Sequence, residues 1–312
     1  MDMPELIVAY THSAGQNVRL PRLPQNGETL RALTWDIDRD GAKGTNVAVA
    51  ASRLGISTAL VSRTGTDFWA DAADRLLEGC QIDRRFLIRD PSISTPTGVV
   101  FVDQGGNNSI VLSPAEQTIP REQICEALTQ MKGARYCVSG YELDAAAADF
   151  ALATAHKLGI QTVLNPSPVP HQRPDLSFVS LLVVNRLEAE ALLDLAGCPC
   201  ENMSPADSAM RLQQCYGCRQ VVITLGAAGH VGIDGSLLFR GNASPVCPCD
   251  TSGAGDGFLA ATVSCLIRGM DLKRACAWAG KYAAMTTQVS GTVPSYPTLA
   301  EAEEKISPLS PR

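Results

Sequence analysis

Tyr136-Cys-Val-Ser-Gly-Tyr-Glu-Leu-Asp144, then Ala145-Ala-Ala-Ala-Asp-Phe-Ala-Leu-Ala-Thr-Ala-His-Lys-Leu158, then Gly159-Ile-Gln161-Thr-Val-Leu164 form the stretch that decides the fold. Tyr136 to Ser139 is a short apolar run of strand length, and Gln161 to Leu164 is another. Between them Asp144 is an N-cap, Ala145 to Leu158 an amphipathic helix, and Gly159 the residue that ends it. Strand, helix and strand in this order predict a crossover between parallel neighbours. The same rhythm runs outward in both directions. Leu6 to Tyr10, Ala59 to Ser62, Leu181 to Val184 and Val221 to Thr224 all read as buried strands separated by helical segments. The predicted fold class is α/β, a doubly wound and mostly parallel sheet with helices on both faces.

One region breaks the rhythm. Thr97 to Val102 and Ser109 to Leu112 are strand-like and joined by Asp103-Gln104-Gly105-Gly106-Asn107-Asn108, a hairpin turn. A hairpin does not suit a parallel sheet, so it is assigned to a small separate sheet, with Pro21 to Asp40 as a further contributor. The expectation is a single domain over 1–312 carrying a β-sheet lid built from about 11–40 and 95–115. The only linker-like piece is the tail from Ser307.

Composition excludes several classes. The chain has 312 residues, of which 45% are hydrophobic and 19% charged, so wholesale disorder is excluded. With 26 Lys+Arg against 32 Asp+Glu the net charge is −6, and no basic tract exists, so no nucleic acid is expected as a partner. The longest aliphatic run, Phe178 to Val184, is far short of a membrane span. Met1-Asp2-Met3-Pro4-Glu5 has no basic n-region, and a cytoplasmic protein without membrane contact is expected. Eleven cysteines include Cys198-Pro-Cys200, Cys215-Tyr-Gly-Cys218 and Cys247-Pro-Cys249, spacings that resemble zinc ligation. Their odd number and the self-sufficient scaffold around them favour reduced thiols.

Chemistry concentrates in Asp250-Thr251-Ser252-Gly253-Ala254-Gly255-Asp256-Gly257-Phe258. The helix that follows has apolar residues at Leu259, Val263, Leu266 and Ile267 and ends at Gly269. Glycines at its start leave backbone N–H groups bare at the positive end, a pocket for a phosphate or developing anion. Asp256 in the first turn can accept a proton beside that pocket. A second loop, Asp40-Gly41-Ala42-Lys43-Gly44-Thr45-Asn46, leads into a helix faced by Val47, Ala50, Ala51 and Leu54. It suits a hydroxyl-rich ligand and is not a GxxxxGK[ST] phosphate loop. No GxGxxG follows the first strand, which argues against a dehydrogenase. Asn185-Arg186-Leu187-Glu188 places an amide and a carboxylate at a strand's C-terminal end. That pair fits hydrated magnesium, or equally an N-cap with its N3 partner. Thr224-Leu225-Gly226-Ala227-Ala228-Gly229 ends another strand, as a plain turn or as an approach for phosphates and a flat base.

In this order, GAKGTN, NRLE, TLGAAG and DTSGAGD make the chain resemble the ribokinase-like (PfkB) carbohydrate kinases from Leu6 to about Pro297. The resemblance implies a ribokinase-like fold and ATP-dependent phosphorylation of a hydroxymethyl group on a small sugar. It makes Asp256 the catalytic base and the amides of Gly253, Ala254 and Gly255 the anion hole. Asn185 and Glu188 would organise Mg²⁺ through water, and Thr224, Gly226 and Gly229 would line the ATP site. Gly15, Gly41, Lys43, Asn46 and Glu142 fall on the sugar side. Asp250, Ser252, Val289, Gly291 and Ser295 resemble a potassium site, K⁺ being an activator. A homodimer through the lid is a further implication.

Two departures bear on the substrate. Where many relatives carry Asn-x-Asp after the first strand, this chain has Ser13-Ala14-Gly15, and the second glycine of the Gly-Gly-Lys-Gly loop is Ala42. His12 or Asn17 could supply a different handle. A nucleoside or pseudouridine kinase on the same scaffold is therefore the alternative, and a catalytically silent sugar-binding regulator the next.

Overall fold

The computed structural model describes residues 3–106, 108–114, 117–198, 203–306 and 308. Its elements, in chain order, begin with β1 (Leu6–Ala9), β2 (Ala14–Arg19), β3 (Thr34–Gly41), α1 (Lys43–Arg53), β4 (Thr58–Thr64) and α2 (Phe68–Leu76). Next come β5 (Ile82–Asp83), β6 (Leu87–Arg89), β7 (Gly98–Val102), β8 (Asn108–Leu112), α3 (Arg121–Gln130), β9 (Tyr136–Gly140) and α4 (Ala145–Lys157). Then follow β10 (Gln161–Asn165), β11 (Leu181–Asn185), α5 (Arg186–Leu195), α6 (Pro205–Tyr216), β12 (Gln220–Thr224), β13 (His230–Asp234) and β14 (Leu237–Gly241). The chain closes with α7 (Ala254–Ile267), α8 (Leu272–Thr286), α9 (Thr292–Ser295) and α10 (Leu299–Lys305).

The main sheet runs β14-β13-β12-β11-β10-β9-β1-β4-β5, with β6 also on β4. It is parallel from β5 to β12 and closes on the antiparallel ribbon β12-β13-β14. The unit from Tyr136 to Asn165 forms as its sequence predicts. Asp144 caps α4 by accepting from Ala147 N at 2.9 Å, and Gly159 takes φ 78° just beyond the helix. The middle residues of β1, β9, β10, β11 and β12 are buried because both faces of the sheet are covered by helices.

The second sheet has order β3-β2-β7-β8, with β7–β8 the expected hairpin and β2–β7 parallel. Asn107 and Ser307 lie outside the described residues. β2, too polar to be read as a strand from its sequence, is the centre of this sheet together with β7. β3 runs straight into α1, so the sheet and the first helix are connected through Gly41 and Ala42. The hairpin turn rests on the segment before α7. Thr251 Oγ1 donates to Gly106 O at 3.1 Å and Asn108 Nδ2 to Ser252 Oγ at 3.2 Å.

α7 is buried from Asp256 to Ile267 and packs against α1 and α8. A helix that is apolar all round is a core helix, and so its first turn is held rigidly. Among the described residues no helix is long and apolar enough to cross a membrane.

Candidate active site

A cavity of about 890 Å³ opens between the second sheet and the C-terminal ends of β1 and β9. The first turn of α7, the start of α1, and the loops after β9 and β10 line it. Gly15, Gly41, Lys43, Asn46, Glu142, Ser252, Gly253 and Asp256 are all in its wall. Residues more than 200 positions apart in sequence thus meet in one place.

Gly253 is the N-cap of α7 in the left-handed region, at φ 70°. A Cβ there would stand 2.5 Å from the Tyr296 hydroxyl and 2.8 Å from Thr292 Cγ2, so glycine is required. The Tyr296 hydroxyl donates to Gly253 O at 3.1 Å and fixes the turn. Ala254 N–H donates to Thr251 O at 3.3 Å. Of the three amides singled out from the sequence, Ala254 is thus engaged inside the loop.

Asp256 is only 5% exposed but borders the cavity. Its Oδ2 accepts from Asn46 Nδ2 at 2.8 Å, and its Oδ1 lies 3.6 Å from Lys43 Nζ. Glu142 Oε2 accepts from Lys43 N and from Thr11 Oγ1, each at 2.9 Å. Burial raises the Glu142 carboxyl, opposed by Lys43. Burial works against the Lys43 ammonium, but the carboxylates of Asp256, Glu142 and Glu188 outweigh it and push Lys43 up. Lys43 therefore stays charged at physiological pH.

Ala42 replaces a glycine without distortion. It is the N-cap of α1 in extended geometry, φ −62° and ψ 164°, open to any residue. The two polar residues near β2, His12 and Asn17, are turned away from the cavity. The His12 ring is fully buried, bonded to Thr45 Oγ1 at 3.0 Å and Asp74 Oδ1 at 3.1 Å. Burial lowers its pKa despite Asp74, so the ring is a neutral tie between α1 and α2. Asn17 points to Asp40, donating to Oδ2 at 2.7 Å. Neither residue lines the cavity; Asp40, cross-strand partner of Gly15, does. Thr292, which also lines the cavity, carries no local signal in the sequence.

Asn185 and Glu188 form a capping box at the start of α5, with Glu188 N to Asn185 Oδ1 at 2.9 Å and Asn185 N to Glu188 Oε2 at 2.8 Å. Glu188 also lies close enough to Lys43 and Asp256 to feel their charges, and burial raises its carboxyl. Asn185 and Thr224 are paired in register at the same sheet edge. Gly229, at φ 88°, would place a Cβ 2.0 Å from Gly241 O, so packing of the β12–β14 ribbon alone demands glycine. Gly226 has φ 56° and open space around it. None of these five residues is in the wall of the cavity; Glu188 alone is near enough to Lys43 and Asp256 of that wall to feel their charge.

Asp250 is buried, its Oδ1 accepting from Ser252 N and its Oδ2 from Gly291 N, both at 2.9 Å. Ser295 Oγ donates to Thr292 O at 2.6 Å, one turn away, and Val289 is exposed. Asp250 makes no ion pair among the described residues. Cys198 Sγ lies 3.4 Å from Cys215 Sγ, both as thiols, and Cys200 is outside the described residues. Among the described residues no trio of His, Cys, Asp or Glu is grouped to hold a metal.

A parallel α/β sheet with a small second sheet, a glycine-gated helix start and an aspartate in its first turn define a phosphotransferase of the sugar kinase class. The chain belongs to the pfkB family of carbohydrate kinases, whose model matches residues 39–299. It is 29% identical over 290 residues to the deoxyribokinase of Salmonella typhimurium, covering 92% of this chain and 93% of that one. It is 30% identical over 288 residues to the ribokinase of Mus musculus, covering 88% and 86%. Arabidopsis thaliana ribokinase complexed with ribose and ATP superposes with a TM-score of 0.79 at 23% identity, covering 98% and 99%. The protein is an ATP-dependent carbohydrate kinase of ribokinase-like fold.

Proposed function

We propose that the chain transfers the γ-phosphoryl group of ATP to a hydroxymethyl group of ribose, deoxyribose or a similar small sugar, with Asp256 as the base. The carrying observation is the position of Asp256. It shares the first turn of α7 with Gly253 and Gly255, and its carboxylate borders the cavity between Asn46 and Lys43. Oδ1 takes the acceptor's proton while Asn46 holds Oδ2. Gly253 and Gly255 amides and the positive end of α7 meet the charge on the transferring group. Lys43 offsets the negative charge gathered by Asp256 and Glu142. Phosphoryl transfer depends mainly on positioning and charge stabilisation, so these groups contribute more than the base.

Glu188, with Asn185, would hold hydrated Mg²⁺ in this reading, and the ion would supply charge neutralisation for the transferring phosphate. Thr224, Gly226 and Gly229 border the nucleotide. Asp250 with backbone carbonyls near Ser252, Val289 and Gly291 and the Ser295 hydroxyl holds K⁺, which steadies the loop carrying the anion hole. The second sheet acts as a lid over the domain. Its exposed Trp35 and Val111, on the face away from the cavity, give it an apolar surface that a second copy would cover, making a homodimer. Free thiols throughout the described residues suit the cytoplasm.

A nucleoside acceptor is the second reading, because the cavity extends past Lys43 to Val169, Pro170 and His171 under Ile110 and Leu112. ADP release over a panel of ribose, 2-deoxyribose, fructose, adenosine, uridine and pseudouridine decides between them. Turnover of none of these with ATP, Mg²⁺ and K⁺ present would reject the proposed substrate range.

A further inference from the structure

Thr292 begins α9 and is 4% exposed. Its Oγ1 lies 2.9 Å from Asn46 Oδ1 and accepts the Gly41 N–H at 3.1 Å. Asn46 Nδ2 in turn donates to Asp256 Oδ2 at 2.8 Å. A hydroxyl has one proton to give, and its other acceptor, Arg39 O, is farther away at 3.3 Å. The proton therefore goes to Asn46. A primary amide is nearly symmetric in shape and opposite in polarity at its two ends. Turned over, Asn46 would set its oxygen against the Asp256 carboxylate in a site with little water.

We infer that Thr292 is a positioning residue for the base: its hydroxyl fixes the Asn46 amide so that Nδ2 holds Asp256 Oδ2 and leaves Oδ1 for the acceptor hydroxyl. This rests on the reading of Asp256 as the base. The surroundings leave the chain of bonds little slack. A Cβ at Gly41 would stand 2.8 Å from Asn46 Oδ1, and one at Gly253 2.8 Å from Thr292 Cγ2. Thr292 itself is placed by its backbone, whose N–H donates to Asp40 Oδ1 at 2.7 Å. Replacing the hydroxyl therefore removes the orienting bond and the acceptor of the Gly41 N–H, while the backbone bond from Thr292 to Asp40 stays.

The test compares Thr292→Val, Thr292→Ala, Thr292→Ser and Asp256→Asn, using ribose or 2-deoxyribose with MgATP and following kcat, both KM values and thermal unfolding. Val and Ala should each lower kcat about tenfold or more, with the KM for ATP changed by less than about twofold. Ser, which keeps the donor, should regain most of the rate. Wild-type kcat in Thr292→Val or Thr292→Ala beside an inactive Asp256→Asn would overturn the role of Thr292. Equal losses in all three Thr292 variants, matched by lower melting temperatures, would show a structural role instead and overturn it too. If Thr292→Val does not fold, Thr292→Ala gives the reading. An active Asp256→Asn would overturn the base assignment itself, and this inference with it.

Discussion

Asn46 Nδ2 stands 2.8 Å from Asp256 Oδ2, joining the first turn of the first helix to the first turn of the seventh. The pair brings the sugar-side loop and the phosphate-side loop into one rigid unit. That contact makes Asp256 a directed group rather than a helix-start charge. Asp256→Asn removes the proton acceptor but keeps the shape. It should lower kcat by at least about 10²-fold while ATP still binds. Single-turnover assays and ADP titration check both halves, and near-normal turnover would remove Asp256 from the chemistry.

Potassium is expected to matter because Asp250 is a buried carboxylate held by two backbone amides and no cationic side chain among the described residues. Activity should rise when sodium is exchanged for potassium at constant ionic strength. Asp250→Ala should abolish the difference. Equal rates in the two salts would reject the site.

Gly229 and Gly226 separate packing from ligand approach. Gly229→Ala forces a Cβ to 2.0 Å from Gly241 O at φ 88°, whereas Gly226→Ala meets open space at φ 56°. The first should cost more than about 3 kcal/mol or prevent folding, and the second about 1 kcal/mol. Denaturant midpoints measure both. Equal stabilities would show that the ribbon from β12 to β14 can yield at residue 229.

Asp149 links stability to pH. Burial, with Asp175 and Asp144 adding to it and the Tyr141 hydroxyl opposing, pushes its carboxyl up to about 6. The folded value lies above the unfolded one, so this group's contribution is fully present below about pH 4 and is lost as pH rises through about 6. Asp149→Asn keeps an acceptor for Tyr141 without the charge. It should stabilise the protein at pH 7 by about 1–2 kcal/mol, allowing for partial exposure, and should not do so at pH 4. Thermal melts at the two pH values check this; a gain that is the same at both would refute the linkage.

Much of the site is visible in the chain because its signals are local. Glycines at 253 and 255 before an apolar helix, and Lys43 and Asn46 at the start of another, state their conformational needs within a few residues. Gly15, by contrast, is marked only as a missing side chain, and its significance lies in the cross-strand neighbour Asp40. His12 and Asn17, polar and close to the first strand, are candidates for the ligand until the fold turns them inward toward Asp74 and Asp40. Thr292 stands in an unremarkable Gly-Thr-Val-Pro segment.

The amino-acid sequence by itself determined the alternation of strands and helices, their caps, and the glycine-led start of α7. Each of these follows from the preferences of neighbouring residues and the period at which apolar side chains recur. Tertiary structure alone decided that Asp40, Asn46, Asp256 and Thr292 form one hydrogen-bonded set. Those partners come from segments up to 252 residues apart, and their meeting depends on how the second sheet closes onto the α/β body. No local pattern encodes such closure, because it is fixed by the packing of whole elements.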